Sequence, residues 1–181
     1  FIFNTLLFLI GGFLVMWMAA GFAMLETGLV RSKNASTQLL KNVALFSLAS
    51  IAYFIVGFNL MYPGDGWIIN GWMGGFSLTG LEPAGVGADG VDLTYASVGS
   101  DFFFQLMFCA ATASIVSGTV AERVKLWPFL IFTIVLTGIF YPISASWQWG
   151  GGWLSEAGFS DFAGSTVVHA TGAAAALAGA M

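Results

Sequence analysis

His169 is the only histidine in the 181 residues, and it stands in "DFAGSTVVHATGAAAALAGAM", a helix-length run of Ala, Gly, Val and Thr. In a soluble core such a residue is a hydrogen-bonded packing group. In a bilayer, ionisable side chains are costly and face a bundle interior or a pathway. A neutral imidazole donates from one nitrogen and accepts at the other, which suits a small polar molecule or a proton relay better than a permanent cation. Asp161 lies eight residues earlier, about 12 Å along a helix. Asp there is a helix N-cap, and its charge also sets the field where a cation would arrive. Phe104 and Phe108, at i and i+4 in "FFFQLMFCAATASIVSG", share one helix face. They are either apolar filler or an aromatic stack that narrows a pore. Trp149, in "SWQWGGGW", is an interfacial anchor or a π face offered to a cation.

The composition decides what solvent these groups sit in. Hydrophobic residues make up 58% of the chain and charged ones only 8%, with a mean hydropathy of +0.88. A soluble domain carries about a quarter charged residues, so this chain cannot cover itself in water and a bilayer is expected. Five cations and a net charge of -4 give no basic surface for nucleic acid. Cys109 is the single cysteine, which excludes an internal disulfide and a cysteine-based metal cluster. No cofactor and no metal are expected.

A membrane helix needs about 20 mostly apolar residues, and five stretches qualify: roughly Phe1 to Leu25, Leu39 to Tyr62, Phe102 to Val120, Leu126 to Ser146, and Phe162 to the end. The first lacks the basic start of a signal peptide and is too long for its apolar core. The missing initiator methionine points to a mature form or an excised piece. All five cations (Arg31, Lys33, Lys41, Arg123 and Lys125) fall in or beside the first-to-second and third-to-fourth connections. The other two connections hold Asp65, Glu82, Asp89, Asp92, Asp101, Glu156 and Asp161 and no Lys or Arg. Loops rich in Lys and Arg stay cytoplasmic, so the amino terminus is expected outside and the carboxyl terminus inside. The segment from Pro63 to Ser100 reads as an extracytoplasmic loop with Trp67 and Trp72 at the interface. An odd number of spans fits one half of an inverted-topology pair.

Small residues line two helix faces, Ala110, Ser114 and Gly118 on the third span and Gly172, Ala176 and Ala180 on the fifth. Such stripes let membrane helices approach closely. Glu26 and Glu122, each near cations, read as helix-end charges in local pairs.

Four stretches, "GFAMLETGLVRSKN", "FQLMFCAATASIVSGTVAER", "WGGGW" and "DFAGSTVVH", resemble the Amt/Mep/Rh ammonium transporter family, bacterial Amt-like in particular, and the resemblance covers essentially the whole chain. It implies an all-α integral membrane protein: a polytopic helical bundle whose five transmembrane helices form one half of an inverted-repeat fold, amino terminus outside. Residues 1–181 would be the first inverted repeat of an ammonium transporter domain, with the second half absent. The family protomer is an eleven-helix homotrimer subunit with its own pore. By motif position, Trp149 and Phe108 would help form the outer recruitment site, and Phe104 with Phe108 would narrow the pore. Asp161 would support that site, and His169 would be the first of two pore histidines. The implied function is transport of ammonium or ammonia across the cell (inner or plasma) membrane, with a PII-type signalling protein as a cytoplasmic partner. An ammonium sensor of the same fold is the alternative. An enzyme is not expected: Ser117, the candidate partner of His169 in a protease dyad, lies in "IVSGT" without the glycine of a G-x-S-G motif, and one histidine cannot ligate a haem twice.

Overall fold

Long runs of Phe, Leu, Ile, Met and Ala become helices because a lipid-facing backbone must bond to itself. In the computed structural model, which describes residues 1–77 and 95–181, four helices are long and apolar enough to cross a membrane. These are α1 (Ile2–Leu29), α2 (Ser32–Met61), α3 (Val98–Thr119) and α4 (Leu126–Ser146). A short α5 spans Trp153–Glu156. Helix α6 opens as a π segment, Ser165–Ala170, and continues as Thr171–Ala180. Two strands, β1 (Trp67–Ile69) and β2 (Met73–Gly74), pair antiparallel after α2. Glu82, Asp89 and Asp92 of the expected outer loop lie outside the described residues.

Several boundaries differ from the sequence expectation. Helix α2 starts at Ser32, seven residues early, because a 3-10 turn over Ser32–Asn34 feeds directly into it. Helix α3 starts at Val98, where the Ser97 side chain accepts from the Ser100 N–H as a cap. Helix α6 starts three residues later than expected, since Gly164 takes a left-handed φ of 85° just before it.

Helix α4 carries Pro142, and the chain absorbs it with a π segment at Leu136–Phe140. The Tyr141 N–H reaches back five residues to Leu136 O, and Pro142 has no N–H to give. Thr137 O is therefore left without a backbone donor, and the buried Cys109 thiol donates to it at 3.4 Å. Thus the lone cysteine repairs a proline defect.

Helix α3 is the hub. Its most apolar window is 61% buried, against 6% for α1, and it packs on α1, α2 and α6. Its small residues permit this: a methyl group at Gly172 of α6 would sit 3.1 Å from Thr112 O of α3. Helix α1 buries only Gly12 and Glu26. The aromatic rings of α3 explain the first, because a Cβ at Gly12 would lie 2.5 Å from the Phe103 ring and one at Gly11 2.8 Å from Phe104.

The second, Glu26, is not an exposed helix-end charge. It is 2% exposed and ties three helices together. Its Oε2 accepts from Asn42 Nδ2 at 2.8 Å, from Ser117 Oγ at 2.8 Å, and from Gln38 Nε2. Lys41, also buried, donates to Ser117 O at 2.8 Å and stands 4.7 Å from the Phe129 ring centroid.

At the same end Glu122 clamps two connections. Its Oε1 accepts from Asn34 Nδ2 at 2.6 Å and from the Arg31 N–H at 2.9 Å, and Arg31 Nε lies 3.1 Å from its Oε2. The partner is thus Arg31, 91 residues away, rather than a neighbour in sequence. Glu122 takes a left-handed φ of 62°, an uncommon state for a residue with a Cβ, which these bonds hold in place. The Asn34 and Arg31 hydrogen bonds lower its carboxyl to about 2 from an ordinary 4.5. A carboxyl lowered on folding stabilises above its unfolded value and loses that contribution as pH falls through the folded one. Glu122→Gln is therefore expected to melt below the unmodified protein at pH 7. The gap between their thermal melts should close as pH falls from about 4.5 towards 2.

Candidate functional site

Asp101, Phe104, Gln105 and Phe108 recur at i, i+3, i+4 and i+7 along α3, one face of a helix. Together with Phe8 and Gly11 of α1 and with Trp149, they line a cleft of about 680 Å³. Its wall is a continuous run of rings. Phe8 stacks on Phe104 with centroids 4.9 Å apart and planes 5° from parallel. Phe104 meets Phe108 edge-to-face at 4.9 Å, and Phe108 meets Trp149 at 5.8 Å.

Trp149 is held from two sides. The glycines after it let the chain fold back: Gly152 N–H donates to Ser146 O at 3.0 Å, and a Cβ on Gly152 would come within 2.6 Å of Gly71 O. Around this turn Trp72 stacks on Trp153 at 4.7 Å, and Trp147 Nε1 donates to Trp72 O at 2.8 Å. Trp72 thus joins a tryptophan cluster while remaining 49% exposed. The indole Nε1 of Trp149 then donates to the backbone carbonyl of Asp161 at 2.8 Å, which fixes the plane of its ring.

The Asp161 carboxylate reaches forward over the start of α6. Oδ1 accepts from the N–H groups of Gly164 at 2.8 Å and Ser165 at 3.1 Å, and Oδ2 from those of Thr166 and Val167, both at 2.8 Å. The capping role expected from sequence is present, displaced along the chain: Asp161 acts from four residues before the helix, across the Gly164 turn. That turn needs glycine, because a Cβ there would lie 2.6 Å from Val168 Cγ2. Burial pushes the Asp161 carboxyl up, but these four backbone donors outweigh it and hold it below its ordinary value.

His169 stands apart from this cluster. Its segment packs on the core through Val167 and Val168, both buried, while His169 itself is exposed and does not line the cleft. Four residues, not eight, of helix precede it, since 161–164 are non-helical. The structure therefore brings Phe104, Phe108, Trp149 and Asp161 together and leaves His169 one turn into α6, on the uncovered side.

Sequence reasoning missed Phe8, Tyr62, Tyr95, Asp101 and Gln105, which also line the cleft. Burial, followed by the charge of Asp101, raises the Tyr95 phenol to about 12, so it stays a hydroxyl that can donate. Only Asp101 and Gln105 left a trace in the sequence, at i and i+4 beside the two phenylalanines.

The chain matches the Ammonium Transporter Family over residues 6–181. It belongs to that family. With four apolar helices of crossing length, this member of the Ammonium Transporter Family is a membrane protein. It is 44% identical over 183 residues to the ammonium transporter Amt2 of Archaeoglobus fulgidus, covering 96% of this chain and 36% of that one. It is 35% identical to an ammonium transporter of Bacillus subtilis, covering 91% and 40%. The chain thus spans well under half the length of these relatives. Among solved structures it resembles a sensor Amt protein, with a TM-score of 0.78, 36% identity, and coverage of 93% of this chain and 41% of that one. It also resembles Mep2 of Saccharomyces cerevisiae, with a TM-score of 0.81, 26% identity, and coverage of 96% and 38%. The fold is accordingly that of an Amt/Mep half.

Proposed function

We propose that residues 1–181 are the first of two inverted halves of an ammonium transporter of the plasma membrane, amino terminus outside. In this reading ammonium is recruited at Phe108 and Trp149 and gives up a proton, which passes to water on the outer side or follows through the histidine pair that begins with His169. Ammonia then passes Phe104 and His169 through a pore that the second half completes. The observation that carries the reading is the ring wall from Phe8 to Trp149, with the Trp149 indole pinned to Asp161. His169 is exposed and outside the cleft, and its place on the route rests on the family resemblance.

Energetics sets the order of steps. A bare ammonium ion in hydrocarbon costs tens of kcal/mol by the Born argument. Cation–π attraction to Trp149 returns only about 0.5 to 2 kcal/mol. That concentrates the ion at the surface and cannot carry it across. Losing the proton before the dry section removes the cost of desolvating a charge. Potassium has no proton to lose, so the same step supplies selectivity.

The cation-rich connections holding Arg31 and Arg123 set the cytoplasmic side by the positive-inside rule. A homotrimer, and a PII-type protein on that side, extend the same reading. The similarity to a sensor Amt protein favours ammonium sensing as the second reading. Uptake of labelled methylammonium by transporter-deficient cells expressing the full-length protein separates the two. Transport predicts saturable uptake above the empty-vector level, and a dedicated sensor predicts none.

A further inference from the structure

The oxygens of two carboxylates near the ring wall, Asp161 and Asp101, are not equally engaged. Those of Asp161 are taken up by four backbone N–H groups. A carboxylate has about four acceptor sites, so Asp161 has little left for a ligand. Asp101 is the reverse case. It is 9% exposed, it lines the ring-walled cleft, and its Oδ1 has no hydrogen-bond partner. Gln105, one turn further along the same face, hydrogen-bonds the Asp101 carboxyl through its side chain and also lines the cleft, with a buried Oε1 that has no partner.

A buried polar atom without a partner is rare enough in native structures to need an explanation. Helix capping does not supply one for Asp101, because Ser97 already caps α3 through the Ser100 N–H. Two acceptors without a protein partner, one of them a carboxylate oxygen, on residues that line a cleft walled by aromatic faces suit a cation that also donates hydrogen bonds. The aromatic faces attract the charge and the oxygens take the N–H groups.

We propose that Asp101 and Gln105 form an acceptor pair that holds a small N–H-bearing cation, ammonium or a primary alkylammonium, in this cleft ahead of Trp149. The pair is separate from the Phe108–Trp149 contact: Asp101 lies seven residues, about 10 Å along α3, before Phe108. This assignment rests on the reading of the cleft as the ammonium-recruiting face and names the groups that give it affinity.

Methylammonium uptake into liposomes holding the full-length protein tests the pair. For Asp101→Asn, which keeps the shape and removes the charge, the half-saturating concentration is expected to rise about tenfold with the maximal rate nearly unchanged. Asp101→Glu should recover most of that loss, and Gln105→Leu should raise the half-saturating concentration about threefold. An unchanged half-saturation in Asp101→Asn, or a fall in maximal rate alone, overturns the proposal. If Asp101→Asn is not recovered folded, Gln105→Leu decides by the same criterion. Quenching of tryptophan fluorescence by methylammonium, measured on the purified protein, reads binding without transport. A protein that does not transport but still shows quenching that Asp101→Asn weakens would refute the transport reading and keep the acceptor pair. Equal quenching in both proteins would refute the pair alone.

Discussion

Replacing Asp161 by alanine is expected to cut methylammonium uptake by the full-length protein more than tenfold, and to loosen the first turn of α6. A single N-cap substitution costs about 0.5 to 2 kcal/mol when it frees one donor. Here four backbone N–H groups lose their acceptor at once, in a segment whose turn Gly164 already holds in the left-handed region. The damage spreads in two directions from that point. The Asp161 carbonyl positions the Trp149 indole, and the His169 N–H bonds to Gly164 O at 3.0 Å, so one strap orients both ends of the proposed route. Asp161→Asn should be nearly as harmful, because its amide N–H₂ would face two backbone donors. Hydrogen exchange of the 164–167 amides provides the check. Faster exchange in both variants supports the strap, and unchanged exchange with lost uptake would mean that Asp161 acts through its charge alone. The lowered carboxyl adds a pH signature: stability drawn from Asp161 is held above its ordinary range and lost as pH falls through its folded value.

Glu26→Leu should have the largest effect on stability. It leaves Gln38 Nε2, Asn42 Nδ2 and Ser117 Oγ without their shared acceptor, among residues that are all buried. Each stranded donor costs about 1 to 3 kcal/mol. Even with partial compensation the sum approaches the 5 to 15 kcal/mol that holds an ordinary domain together. The full-length variant is expected to melt more than ~10 °C lower, or to fail to accumulate. Glu26→Gln, which keeps one acceptor oxygen, should fall between. A Leu variant that melts with the unmodified protein would show that the knot contributes nothing.

Asp161 and Glu26 also mark how far the sequence could be read. An Asp ahead of a small-residue run signals a cap, and it is one. The offset of four residues escaped because it depends on the Gly164 turn and on a carboxylate that spans it. Phe104 and Phe108 were legible as a pair because helical spacing alone makes them neighbours. Their junction with Trp149, 41 residues from Phe108, followed only from the family resemblance, since no local period links them. The Glu26 knot was not legible at all. Its members lie 12, 16 and 91 residues from Glu26, and a glutamate five residues before Arg31 looks from sequence like a helix-end charge. Cys109 was read by its count, yet its role follows from Pro142 on another helix.

In the proposed mechanism the species that crosses the apolar interior is neutral, and His169 lies on its path. Ammonium and potassium fluxes in liposomes, compared between the full-length protein and its His169→Ala variant, decide whether this holds. The unmodified protein is expected to move ammonium and exclude potassium. His169→Ala is expected to lower the ammonium-to-potassium ratio by about tenfold or more, a loss of at least ~1.4 kcal/mol of discrimination. A ratio left unchanged by the substitution would refute the mechanism.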